Sequence, residues 1–162
     1  MTDVFTKQPR EPRSAEAEAA GLRWLREASN CVAEVVGLDA ERNVLQTRRV
    51  HEVSPSQDAA RQAGRELARI HAAGADAFGA PPTGWEGPNY IGTQEQECTP
   101  HEDWGEFYVN QRVLPFARRA VEAGNLDAEG MALVAQACAA VVGTRWDVAP
   151  ARIHGDLWAG NL

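Results

Sequence analysis

One octet constrains this chain more than any other stretch: His154-Gly155-Asp156-Leu157-Trp158-Ala159-Gly160-Asn161. It matches the pattern H-x-D-L-x-x-x-N, in which a carboxylate and, five residues on, a side-chain amide are brought together by a short loop. Such a loop sets the Asp beside an attacking hydroxyl to take its proton and the Asn beside a Mg²⁺. Phosphoryl transfer asks of a protein little beyond that positioning and the neutralisation of charge. The plainer alternative is that Asp156 and Asn161 only shape a polar turn with Gly155 and Gly160, as Asx residues do.

At 162 residues the chain is within the range of a single domain able to bury a core, and short for a two-lobed kinase. Its 23 acidic residues outweigh 16 basic ones for a net charge of −7, and no Lys or Arg run interrupts the balance. Nothing electrostatic therefore favours nucleic acid as a partner. No apolar stretch approaches a membrane span, and the polar start lacks the layout of a signal, so a soluble, cytoplasmic protein is expected. Cys31, Cys98 and Cys138 are odd in number and widely spaced, which suggests free thiols and neither a disulfide frame nor a zinc site. Cys138, amid Ala and Val, is expected in the core.

Val4-Phe5-Thr6-Lys7 reads as a short strand ended by Pro9 and Pro12. A helix follows, with Ser14 as its cap, Glu16 and Glu18 at its positive end, and Leu22 and Leu25 on its apolar stripe. By helix period Glu18 shares the face of Leu22 and Leu25, while Glu16 does not. An inward carboxylate wants a cation. Strands are expected at 32–36 and 44–50, joined through Gly37 and a polar 39–43 turn, with Gln46, Arg48 and Arg49 weakening the second. Ser54-Pro55-Ser56-Gln57 fits a capping box with Pro at the first helical position, opening a helix through Ala63, Leu67 and Ile70 to Gly74. Residues 74–100 read as one long loop. Thr99-Pro100-His101-Glu102 repeats the box before a helix bearing Trp104, Phe107, Tyr108, Gln111 and Leu114, kinked at Pro115 and ended by Gly124. Asp127 caps a last helix closing at Gly143, and a brief strand at Ala151-Arg152-Ile153 leads into the octet. With strands at the front and helices behind, the fold class is α+β.

Lys7, Glu18, Asp156 and Asn161 come in the order of a kinase core: strand Lys, helix Glu, base Asp, metal-binding Asn. Lys7 alone could be a solvated strand-end lysine; beside an inward Glu18 the ion pair is the better reading. His154 orients the loop or is simply packed. His71 reads as a helix-face residue, and His51 and His101 have no spaced partner for a metal. Trp104, Phe107 and Tyr108 at helical spacing are core residues first. Trp85, Tyr90 and Trp158, in loops, have a second reading as surfaces that cover an acceptor.

Taken together, several segments resemble the fructosamine kinases, also called ketosamine kinases. They are Val-Phe-Thr-Lys at 4–7, Glu-Ala-Ala-Gly-Leu-Arg-Trp-Leu at 18–25 and Leu-Ala-Arg-Ile-His-Ala-Ala-Gly at 67–74. Phe-Gly-Ala-Pro-Pro at 78–82, Asp-Trp-Gly-Glu-Phe-Tyr at 103–108, Arg-Val-Leu-Pro at 112–115 and the octet complete the set. The octet alone would also admit aminoglycoside and choline kinases; the Trp-x-Glu-Phe-Tyr block and the Asp-Leu-Trp-x-Gly-Asn form are more particular. The resemblance implies a protein-kinase-like fold that uses Mg²⁺ and ATP to phosphorylate the 3-hydroxyl of a ketosamine, small or protein-bound, so that the labile adduct releases its amine. It implies Asp156 as base, Asn161 as Mg²⁺ ligand, Lys7 as the ATP-phosphate lysine and Glu18 as its partner.

By the same resemblance, strands and a glycine-rich turn over the nucleotide would precede Val4, and a second metal-binding acid would follow Leu162. The expectation is therefore an incomplete small lobe over residues 1–53, a few antiparallel strands with one helix, and a partial helical lobe over 54–162 that ends in the catalytic loop. Gln46-Thr47-Arg48-Arg49 stands where relatives are apolar and then acidic. Faces left uncovered would favour self-association. Two functions follow: a ketosamine kinase, or a catalytically inactive remnant of one that acts as a binding module.

Overall fold

The computed structural model describes residues 3–161, with the side chain of Ala159 set aside; Met1, Thr2 and Leu162 lie outside that description. Strands β1 (Val4–Lys7), β2 (Val35–Asp39) and β3 (Val44–Arg48) form an antiparallel sheet in the order β1-β3-β2. Helix α1 (Ser14–Arg26) packs across it. Leu45 at the centre of β3 and Ala15 and Ala19 of α1 form a closed cluster, with Leu22 and Val35 against it. Two alanines let the helix approach the sheet closely, so Leu45 is 1% exposed.

β2 starts three residues later than expected and runs through Gly37, which is therefore part of the strand and not of the turn. The pairing slips between Val35 and Gly37, and a Cβ on Gly37 would come within 2.5 Å of Gln46 Oε1. Gln46 Oε1 ends an exposed, flexible side chain that can swing aside, and the Gln46 Cβ would lie 3.3 Å away, so the glycine suits the bulge without being required by this contact. The polar residues of β3 are absorbed at its end by ion pairs. Arg48 Nε lies 2.6 Å from Glu34, and Arg49 Nε 2.9 Å from Asp3. Arg48 holds the Glu34 carboxyl below its usual range, first by hydrogen bond and then by charge.

The start of α1 is not capped by Ser14. Arg13 takes a left-handed conformation before it, and the cap comes from Asn43, whose Oδ1 accepts from Ala15 N at 3.0 Å. Asn43 Nδ2 also donates to the carbonyls of Pro9 and Glu11, at 2.9 and 2.8 Å. Asn43 has φ +54, a conformation in which Asn is among the few tolerated residues. One turn residue thus ties the β2–β3 connection to the helix start.

Helix α2 (Gln57–Ala72) begins two residues later than the Ser54-Pro55 box implied, because Ser56 is its cap, accepting from Ala59 N at 3.1 Å. It is exposed along nearly its whole length, Ile70 alone being buried, and it ends before Gly74, at φ +68. The 74–100 region is a loop interrupted by a small hairpin, β4 (Asn89–Ile91) and β5 (Gln94–Gln96), turning at Gly92. Sequence periodicity missed strands this short. Backbone bonds between Phe78 and His101 close the loop.

The second capping box is also displaced. Asp103, not Thr99, caps α3 (Trp104–Phe107), accepting from Glu106 N at 2.8 Å. A π-helical segment, Tyr108–Val113, continues into α4 (Leu114–Glu122). Pro115 has no N–H to offer the preceding turn, and the wider π turn absorbs that loss without breaking the helix. Gln111, 2% exposed, donates to Thr99 O at 2.6 Å and accepts from Thr99 N at 3.2 Å. Asp127 caps α5 (Ala128–Val142) as expected, accepting from Gly130 N at 2.8 Å, and Cys138 is buried.

Candidate active site

The register of the sheet decides where Lys7 points. Lys7 sits opposite Leu45, and side chains directly opposite in an antiparallel pair share a face. Leu45 faces α1, so Lys7 does too, and Glu18, between the core positions Ala15 and Ala19, is within its reach. Lys7 Nζ lies 2.6 Å from Glu18 Oε2. The pair is at the rim of the sheet, with side chains 49% and 35% exposed, so the inward carboxylate of the sequence reading is half solvated. Glu16, read there as facing away, is the more covered of the two acids at 23% and pairs with Arg13 Nε at 3.1 Å.

The octet forms a compact, exposed loop. Gly155 at φ +83 turns the chain so that Asn161 comes back to Asp156. Asn161 Nδ2 donates to Asp156 O at 2.8 Å and to its Oδ2 at 3.1 Å. His154 is exposed, and its Nδ1 accepts from Asp156 N at 3.3 Å, so it braces the loop. A short 3₁₀ turn, Ala159–Asn161, closes it. Lys7 and Glu18 are thus in contact, and so are Asp156 and Asn161. No hydrogen bond or ion pair among the described residues joins the two pairs directly.

The link between them is one that sequence reasoning missed. Residues 151–153 form no strand; instead Arg152 reaches back across the molecule. Its Nη1 donates to Trp24 O at 2.6 Å and to Glu27 Oε2 at 2.9 Å, and its Nε to Gly74 O at 3.1 Å. The guanidinium lies 4.6 Å from the Trp24 ring centroid. A signal was present: an arginine in an apolar segment needs acceptors, and the carbonyl ends of helices supply them.

Trp85 and Tyr90 brace the scaffold. Trp85 is 8% exposed beneath the guanidinium of Arg13, 4.7 Å from its ring centroid. The Tyr90 hydroxyl donates to Pro12 O at 2.9 Å. Burial, with Glu95 and Glu11 nearby, pushes that hydroxyl's pKa up. Trp158 remains 61% exposed. Trp104 stacks on Tyr108 and meets Trp146 edge-on, with centroids 4.9 and 4.5 Å apart; Phe107 of the expected core set turns instead to Phe78, 6.4 Å away, and Tyr108 is 40% exposed. An open cleft of about 310 Å³ between α1 and residues 83–85 contains none of the four candidate residues, and its acids Glu16 and Glu27 are already paired with arginines.

A three-stranded antiparallel sheet backed by one helix, followed by helices and an Asp–Asn loop, is an α+β fold of the kinase-like class. The sequence model of the fructosamine kinase family matches residues 2–162, and the chain belongs to that family. It is 36% identical over 101 residues to a Synechocystis protein assigned as a ketoamine kinase, a match covering 60% of this chain and 31% of that one. To the chloroplastic protein-ribulosamine 3-kinase of Arabidopsis thaliana it is 34% identical over 102 residues, covering 61% and 30%. The crystal structure of a Thermobifida fusca protein assigned as a fructosamine-3-kinase superposes with a TM-score of 0.87 at 39% identity, over 98% of this chain and 55% of that one. The chain thus spans about half of the solved relative, and its matches to the two named relatives span less than a third of each.

Proposed function

We propose that this chain carries part of the machinery of an ATP-dependent ketosamine kinase that phosphorylates a sugar hydroxyl of small or protein-bound ketosamines. The observation that carries the reading is the pairing of Lys7 with Glu18 and of Asp156 with Asn161, in a chain of this family. In it Glu18 holds the Lys7 ammonium forward for the α and β phosphates of ATP, and Asp156 accepts the proton of the attacking hydroxyl. The donor set fits a Mg²⁺. Asn161 spends its Nδ2 on Asp156 and keeps an amide oxygen, and Mg²⁺ takes one or two protein oxygens beside phosphates and water. That ion, when bound, neutralises charge on the β and γ phosphates. Residues 1–53, with strand Lys and helix Glu, are the small-lobe part, and residues 54–162 the helical part.

Mass spectrometry of fructosyl-lysine incubated with chain and Mg-ATP tests this. Product is expected, and Asp156→Asn should reduce it by about 10²- to 10⁴-fold, the usual weight of a general base. No product from a folded parent chain would sink the reading.

The second reading is a catalytically inactive binding module; exposed surface bears on where a partner would sit and not on turnover. The chain exposes 11,140 Å², whereas a compact monomer of its mass, 17.6 kDa, exposes about 7,900 Å². Leu133, Ile153 and Trp158 are each more than 60% exposed. Surfaces of that kind are where self-association or a partner would act, and sedimentation beside the transfer assay separates the two readings.

A further inference from the structure

Arg152 precedes His154 by two residues, and with 16% of its side chain exposed it is the least exposed cation of the ion pairs among the described residues. Two of its three acceptors are backbone carbonyls at or just past helix ends. Trp24 is in the last turn of α1, and Gly74 follows the end of α2. Carbonyls at helix C-termini lack intrahelical partners and carry the negative end of the helix dipole. A planar guanidinium can serve both and stack on Trp24 besides, which a lysine cannot.

Beyond Arg152 the chain's hydrogen bonds, among the described residues, are to itself: Asp156 to His154, Asn161 to Asp156 and to Trp158. Residues 151–153 have no strand partner to fix their direction. The internal shape of the octet is therefore local, while its place in the molecule depends on the arginine in front of it. Glu18 is on the same helix that Arg152 grips, nine residues before Glu27 and about 13 Å along the axis at 1.5 Å per residue.

We propose that Arg152 is a positioning residue that fixes the Asp156–Asn161 loop relative to α1 by clamping the last turn of α1 to the residue that follows the C-cap of α2. Its catalytic sense rests on the reading of Asp156 and Asn161 given above; the tether itself does not.

The test is backbone ¹⁵N relaxation on the parent chain, Arg152→Ala, Arg152→Lys and Glu27→Gln, with β3 and the middle of α1 as internal controls. In Arg152→Ala the order parameters of residues 154–161 should fall from the rigid range near 0.85 to below about 0.6 while the controls stay rigid. Arg152→Lys, which keeps charge but loses the fork, should fall between. In the transfer assay kcat should drop by about tenfold to a hundredfold with little change in KM for ATP, as expected when a base is displaced by about 1 Å. A folded Arg152→Ala whose loop order is unchanged overturns the proposal. If Arg152→Ala does not fold, loosening confined to the loop in Arg152→Lys and Glu27→Gln supports it, and uniform loosening of all elements overturns it. A parent that transfers no phosphate but shows the loop-only loss keeps the tether and overturns the kinase reading. Full transfer by an Arg152→Ala chain with an ordered loop does the reverse.

Discussion

The Lys7–Glu18 pair and the Asp156–Asn161 pair are built by opposite means. The first inherits its geometry from long-range order. The register that sets Lys7 opposite Leu45 and the packing of Leu45 on Ala15 and Ala19 turn the lysine toward Glu18 on α1. The second is made within eight residues by a glycine turn and a five-residue spacing, and owes its location to a single side chain. A site of this construction has one half that fails only when the core fails and another that can loosen while the core stands. Few buried contacts and exposed hydrogen bonds are the marks of a segment with low local stability.

The comparison can be broken most forcefully at the core. Leu45→Ala should destabilise the chain by about 2–5 kcal/mol, the range for a leucine deleted from a packed site, and thermal unfolding would read it. A smaller loss would mean that the sheet half is not held by its cluster. Next is Asn43→Ala, which removes three hydrogen bonds at the start of α1 and should cost about 2–3 kcal/mol at roughly 1 kcal/mol per bond. Asn161→Ala should change global stability by less than about 1 kcal/mol, since its bonds are solvent-exposed, and yet abolish phosphate transfer. A thermal shift as large as that of Leu45→Ala would erase the contrast between the halves. Lys7→Met sharpens it from the other side, because an exposed ion pair contributes about 0–1 kcal/mol. Activity should fall while the melting curve barely moves.

The smallest effect is with pH. The Glu66 carboxyl is held below its usual range, first by the hydrogen bond from Ser29 and then by Arg69, as Glu34 is by Arg48. A lowered folded value means that the stabilisation is present in full above the ordinary glutamate range and is lost as pH falls through the folded value. Side-chain carbon NMR of Glu66 should therefore titrate lower than an unfolded control. A midpoint at or above the control would count against the Ser29 contact.

Much of this was legible in the sequence, for a reason that differs by element. The strand at Val4–Lys7, the helix bearing Glu18, and the Asp127 and Gly124 punctuation are local patterns that tertiary packing leaves intact. Caps were the recurrent error. Ser14, Ser54 and Thr99 have suitable side chains, but Asn43, Ser56 and Asp103 hold the bonds. Residue type permits a cap; only the path of the entering chain selects one. The four candidate residues were singled out by motif spacing, chain order and helix period, and the structure brings each pair into contact. Arg152 and Asn43 were missed, because each acts on carbonyls and amides distant in sequence and no pattern in the letters records which backbone groups stand unsatisfied.

The bond from Arg152 to the Trp24 carbonyl spans 128 residues, and that separation bears on the timing of assembly. Closing so long a loop carries an entropy cost that nearby contacts do not, while α1 and its sheet lie within the first 48 residues. During synthesis the sheet and α1 are complete before the octet has been made. The clamp therefore closes after the sheet contacts, and in refolding, order in residues 154–161 should lag behind the sheet. The chain would pass through a stage with its sheet core in place and the 154–161 loop still unanchored.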